Sequence, residues 1–165
     1  MVENIKFKEA SKNEITLYTF LGESLCAVQF LEDAISHSIV IKKTEPHEKK
    51  EADILLKEHK KYTLGKALGI IKNESLLPKH LEIEISKLLI ERNWLIHKSI
   101  TDNKDELKSD LFFNMLFERI KALTQKAKTL QISIEQDLIE YCEKKGIDMT
   151  MAKKAINKYY SSNLH

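Results

Sequence analysis

Glycine and proline are scarce in this chain, four and two in 165 residues, which removes the residues that most often break helices. Collagen-like and low-complexity architectures are thereby excluded. Cysteine is just as sparse: Cys26 and Cys142 lie far apart in sequence, with no C-x-x-C or Cys/His pattern. Neither a zinc site nor a disulfide framework is expected, and both are read as ordinary cytosolic thiols. Charge of one sign is also missing. The 27 basic and 25 acidic residues leave a net charge of +2, too little for general electrostatic binding to nucleic acid, so any such contact must be local. The longest apolar runs, such as Leu111-Phe112-Phe113, fall far short of a bilayer span. Met1 to Glu14 carries no signal-peptide core. These absences lead to the expectation of a soluble cytoplasmic protein with no membrane association. Arginine is the last scarcity, with Arg92 and Arg119 alone among the lysines. Where lysine is the default cation, an arginine marks a place that needed a planar, permanently charged fork.

What is present is the vocabulary of helices. Hydrophobic residues make up 42% of the chain, enough for one domain with a real core, and Leu, Ile, Lys and Glu abound. An all-α fold is expected over a single domain, 1–165, with no repeat and no second unit. Leu17, Phe20, Leu21, Leu25, Val28, Leu31, Ile35 and Ile39 recur at three- and four-residue steps and predict a first long helix over about 13–41. Pro46 breaks the pattern, and a charged second helix follows over about 48–61. Thr63 is a candidate N-cap for a short helix, Thr63-Leu64-Gly65-Lys66-Ala67-Leu68. Gly65 and Gly69 share one stripe of it and mark either close approach of another backbone or a loose turn. Pro78 is placed to start the next helix, over about 79–100. Asp102, Asn103 and Asp105 offer a capping loop before a long stretch from Leu107 to about Lys145, one helix or two with a break near Gln131-Ile132-Ser133. Gly146 reads as its C′ residue, and a last helix follows over about 149–160.

The helix over 79–100 carries the chemistry. Projected at about 100° per residue from Leu81, it places Ile85, Leu88, Leu89, Leu95 and Ile96 on one arc facing the core. Arg92 projects to about 20°, inside that apolar arc, where a charge needs a partner or a task. Ile83, Ile90, Trp94 and His97 gather on the opposite side, so the helix is expected to be covered twice, by the core and by either another helix or a second copy. Asn93 and His97 are four apart and share a face, so the amide can orient the imidazole or share its ligand. Arg92 is rotated from His97 by about 140°, and a two-fold partner would bring a second set near. The structural alternatives are an ion pair between Arg92 and an acid of the first helix, Glu32 or Asp33, and plain packing for His97 beside Trp94. Trp94 reads as an anchor rather than a base-stacking platform.

Arg92-Asn93-x-x-x-His97, late in a helix of an all-α domain, resembles the R-x(4–6)-H signature of the HEPN superfamily. Thr63-Leu64-Gly65-Lys66-Ala67-Leu68 is similar to a T-L-G-x-x-[LI] stretch found in several HEPN groups. The likeness covers about 13–130, the bundle core. The remainder, about 131–165, is a helical extension that matches nothing in it.

The resemblance implies an up-and-down four- to five-helix bundle with a long C-terminal helix. It also implies a homodimer in which two motif helices face each other across a cleft. The implied activity is metal-independent endoribonuclease cleavage, in phage defence or a toxin-antitoxin system, with RNA as substrate and an antitoxin protein as a further partner. Neither cofactor nor metal is expected. His97 would act as general base or acid on the RNA 2′-hydroxyl and leaving oxygen. Arg92 would hold the scissile phosphate, Asn93 would position the histidine or the phosphate, and a 2′,3′-cyclic phosphate would result. Some members add an acidic or polar residue from another helix, and Glu32, Asp33 and Glu91 are the unranked candidates. Other members only bind or dimerise, so the alternative is a non-catalytic helical module, which the apolar content of 111–130 would also suit. Lys153 to Tyr160 interleaves basic and aromatic residues like a nucleic-acid contact, against which stands an amphipathic helix docking Ile156 and Tyr159.

Overall fold

A computed structural model describes residues 9–44, 49–100 and 109–162. Among them are six helices and no strand: α1 (Lys12–Thr44), α2 (Lys49–His59), α3 (Leu64–Glu74), α4 (Lys79–His97), α5 (Asp110–Lys144) and α6 (Thr150–Ser162). The all-α expectation holds. Pro46, the capping loop Asp102-Asn103-Asp105 and the side chains of Phe112, Tyr159 and Tyr160 lie outside the described residues.

At three helix ends, side chains or left-handed backbone satisfy the orphan groups. The Ser11 hydroxyl accepts from the Glu14 N–H at 3.2 Å while the Glu14 carboxylate accepts from the Ser11 N–H at 2.7 Å, a reciprocal capping box that starts α1. Thr63 caps α3 as expected, its hydroxyl accepting from the Lys66 N–H at 3.3 Å. At the end of α5, Gly146 takes φ +80°. There the Ile147 N–H reaches the Cys142 carbonyl and the Gly146 N–H reaches the Glu143 carbonyl, the paired bonds of a Schellman motif. Two open alternatives are decided. Gly65 meets only the Leu89 and Thr63 side chains at ordinary contact distance and Gly69 has open space, so neither marks a close backbone approach, and both lie inside α3 rather than in a loose turn. And α5 is one helix rather than two, unbroken for 35 residues, because Leu116, Ile120, Leu123, Ala127, Leu130 and Ile134 form one uninterrupted buried stripe through Gln131-Ile132-Ser133.

The two long helices, α1 and α5, run in the same direction. Phe20 packs edge-on against Phe117 near their starts, ring centroids 4.3 Å apart, and Lys42 bonds Asp137 near their ends. α4 runs opposite to both, since Glu91 and Glu84 pair in order with Arg119 and Lys126 of α5, and Arg92 faces Glu32 of α1. Leu31, Ile35, Ile39, Leu64, Ile71, Ile85, Leu88, Ile120 and Ile134 are sealed where α1, α3, α4 and α5 meet. Burial of such side chains stabilises by about 1.5–3 kcal/mol each. Among the described residues, no buried side chain belongs to α6, which is tied to α5 by a Lys153–Glu143 pair at 2.6 Å. By length and composition alone α1 could cross a membrane, with a window of mean hydropathy 1.2, but 56% of that window is buried against the rest of the chain.

Candidate active site on α4

Leu81, Ile85, Leu88 and Leu95 face inward from α4 as its periodicity requires. Ile96, expected on the same arc, is exposed. The last turn of α4 borders an open groove of about 330 Å³ lined by Leu21 and Leu25 of α1 and by Leu95, Ile96, His97 and Ile100. On the opposite face, among the described residues, Ile83 is exposed and Ile90 is 67% exposed. The second covering is thus shared out: α5 covers the flank of that face at Trp94, Glu91 and Glu84, and leaves Ile83 and Ile90 open.

That edge is fully paired. Arg119 of α5 makes two bonds to the Glu91 carboxylate, Nε at 2.8 Å and Nη2 at 3.0 Å, and its guanidinium lies 3.6 Å from the centre of the Trp94 ring. A planar fork can do both at once and an ammonium cannot. Trp94 is thus an anchor capped by a cation, and Glu91 is committed to Arg119. Lys126 binds Glu84 about two turns further along.

The edge toward α1 is not. Arg92, its side chain 23% exposed, lies beside Glu32 with Nη2 and Oε1 3.5 Å apart, too far for a good hydrogen bond. Arg92 Nε and Glu32 Oε1 are both shut off from solvent without a hydrogen-bond partner. Asn93 Oδ1 accepts from Arg92 Nη1 at 3.4 Å. Burial pushes the Glu32 carboxyl above its usual range, and the Arg92 charge offsets this only in part. A buried guanidinium nitrogen and a buried carboxylate oxygen left without hydrogen bonds are costly to hold. Asp33, the next candidate acid, is engaged elsewhere, with Lys60 at 2.6 Å and His37 at 3.6 Å. Of the three acids, Glu32 is the one next to Arg92.

His97 closes α4 and is exposed on the groove wall. The fold gathers Arg92, Asn93 and Glu32. It leaves His97 five residues on, about 7.5 Å along the helix axis. On the far side of Glu32 a second, polar recess of about 200 Å³ opens, lined by Gln29, Glu32, Asp33 and Ser36 of α1 and by Lys60 and Tyr62. Sequence reasoning missed Gln29, Ser36, Lys60 and Tyr62. A signal existed only for α1, where Gln29, Glu32, Asp33 and Ser36 repeat at three- and four-residue steps as a polar continuation of the Leu21–Leu25 stripe. Among the described residues, no three His, Cys, Asp or Glu side chains gather as they would around a metal ion. No family model, no curated protein and no solved structure matches the chain.

Proposed function

We propose that the chain is a HEPN-type endoribonuclease, an up-and-down helical bundle that works as a homodimer through α4. The observation that carries the reading is the Arg92–Asn93–His97 set on a helix whose outer face is bare. Ile83, Ile90 and His97 recur every seven residues and so share one stripe, rotated by only about 20° per step. Ile83 and Ile90 are exposed, and a second copy packed on this stripe by two-fold symmetry would bring its own His97 to the same cleft.

In this cleft Arg92 takes the scissile phosphate, whose oxygens satisfy the guanidinium better than Glu32 at 3.5 Å does. His97 removes the proton from the 2′-hydroxyl. The 2′-oxygen then bonds to phosphorus while the bond to the 5′-oxygen breaks, and an imidazolium returns a proton to that leaving oxygen. The product is a 2′,3′-cyclic phosphate, and neither metal nor cofactor is required. Free Cys26 and Cys142 suit a reducing cytoplasm, and phage defence or a toxin-antitoxin pair, with an antitoxin protein as partner, is the setting.

The decisive experiment incubates RNA with wild type, His97→Ala and Arg92→Ala in EDTA at matched purity. Cleavage by wild type alone, with both variants still helical, is expected. Equal degradation by all three would refute the proposal. One observation favours a second reading, a non-catalytic HEPN-like dimerisation module: Arg92 already has a counter-charge within its own chain. A dimer in solution without cleavage would establish it, and Ile90→Lys should break the dimer under either reading.

A further inference from the structure

The polar recess beside Glu32 has a composition that narrows its ligand. Its walls bring two carboxylates, Glu32 and Asp33, together with the Gln29 amide, the Ser36 hydroxyl, the Lys60 ammonium and Tyr62. An anion is disfavoured there, since Lys60 is already held by Asp33 at 2.6 Å and the carboxylates repel negative charge. An apolar ligand would displace water from the Gln29 amide and the carboxylates without replacing its hydrogen bonds. The volume of about 200 Å³ exceeds a single water, whose share of the liquid is about 30 Å³. What fits is a flat neutral group that offers N–H donors to carboxylate oxygens and a carbonyl acceptor to Lys60 or Gln29.

Position narrows it further. Leu21 and Leu25 line the groove of His97, and the next residues on that stripe of α1, from Gln29 to Ser36, line the recess. The step from Leu25 to Gln29 rises about 6 Å. Arg92 stands at the boundary because Glu32, its neighbour, is also a recess wall. Glu32 Oε1 is buried on the Arg92 side of this boundary without a hydrogen bond.

We infer that this recess is a nucleobase pocket that selects guanine next to the phosphate held by Arg92. Guanine alone of the four RNA bases carries two adjacent donors, N1–H and the exocyclic amine, beside a carbonyl acceptor on the same edge. Lys60 and Asp33 each keep hydrogen-bonding capacity beyond their mutual pair, so charge-assisted bonds from those donors to Glu32 and Asp33, with the carbonyl on a spare Lys60 N–H, would fill the recess. A pocket that hydrogen-bonds one edge disfavours bases that cannot match its donors and acceptors. The inference takes its biological meaning from the ribonuclease reading, but its test does not depend on turnover.

Full-length His97→Ala protein is titrated calorimetrically with the 3′-monophosphates of guanosine, adenosine, cytidine and uridine. Guanosine 3′-monophosphate should bind tighter than the other three by on the order of tenfold. Glu32→Gln and Asp33→Asn, each added to His97→Ala, should erase most of that preference while circular dichroism stays helical. Equal binding of all four nucleotides, binding of none, or a preference unchanged in both variants overturns the pocket. Cleavage sites of the wild type in a mixed-sequence RNA then separate the two claims. Cutting without guanine preference keeps the nuclease and removes the pocket, whereas guanine-selective binding without cutting keeps the pocket and removes the nuclease.

Discussion

The two edges of α4 carry one arginine each, and they are built oppositely. Toward α5, Arg119 is well engaged: it makes two bonds to Glu91 and a stacking contact with Trp94. Toward α1, Arg92 faces Glu32 at 3.5 Å, with a buried nitrogen on one side and a buried oxygen on the other that lack partners. Folding alone explains the first and not the second. A polar pair left short of its hydrogen bonds costs stability, and such costs concentrate where a ligand is to be received. The contrast separates a structural arginine from a candidate catalytic one without appeal to relatives.

The sharpest way to break this comparison is catalytic. Arg92→Ala and His97→Ala should each lower RNA cleavage by roughly 10²–10⁴-fold, while Arg119→Ala should stay within a few-fold of wild type in the same assay. Loss of activity in Arg119→Ala with normal folding would erase the distinction.

Next in size is the contrast between the two faces of the helix. Ile85, sealed in the core, should cost about 2–5 kcal/mol as Ile85→Ala in urea unfolding. Ile90→Ala, on the bare face, should change monomer stability by less than about 0.5 kcal/mol. A large loss from Ile90→Ala in a demonstrably monomeric sample would mean that its face is covered within the chain.

Smaller effects test the pairs themselves. Arg119→Ala removes a half-exposed bidentate pair and a cation–π contact, for a loss of about 1 kcal/mol in the same unfolding measurement. A value indistinguishable from zero would make the clamp ornamental.

The least expected change concerns acidity. Because burial raises the Glu32 carboxyl, the folded state binds that proton at a pH where the unfolded chain has lost it. The contribution of Glu32 to stability therefore falls as pH rises from the unfolded carboxylate range through the folded value. Glu32→Gln should remove this decline, so the difference in melting temperature between variant and wild type should grow from pH 4 to pH 7. A difference that is flat or shrinks across that window would show that Arg92 fully compensates the burial.

Much of the framework was legible in residue order. The 3–4 spacing of Leu17 to Ile39 gave α1, Thr63 gave the α3 cap and Gly146 the end of α5, because caps and amphipathic periodicity are local and each uses only neighbours in sequence. Whether α5 is one helix or two near Gln131 was not decided by residue order: local polarity there is outweighed by a buried stripe that only tertiary packing reveals. The same limit governs the site. Arg92, Asn93 and His97 were visible as a motif, and Glu32, Asp33 and Glu91 as an unranked set of acids.

Sequence by itself determined that the described residues are helical, where α1, α3 and α4 begin and where α5 ends, and that α4 carries an arginine on an apolar stripe. Only the tertiary structure decided which acid meets Arg92, that Arg119 is spent on Glu91 and Trp94, and that Lys60 and Tyr62 join α1 in a polar recess. The physical reason is range. Helix formation and capping are settled within a few residues, whereas pairing of a buried charge depends on which distant helix is brought against it. Arg92 and Glu32 lie sixty residues apart in the chain and 3.5 Å apart in space.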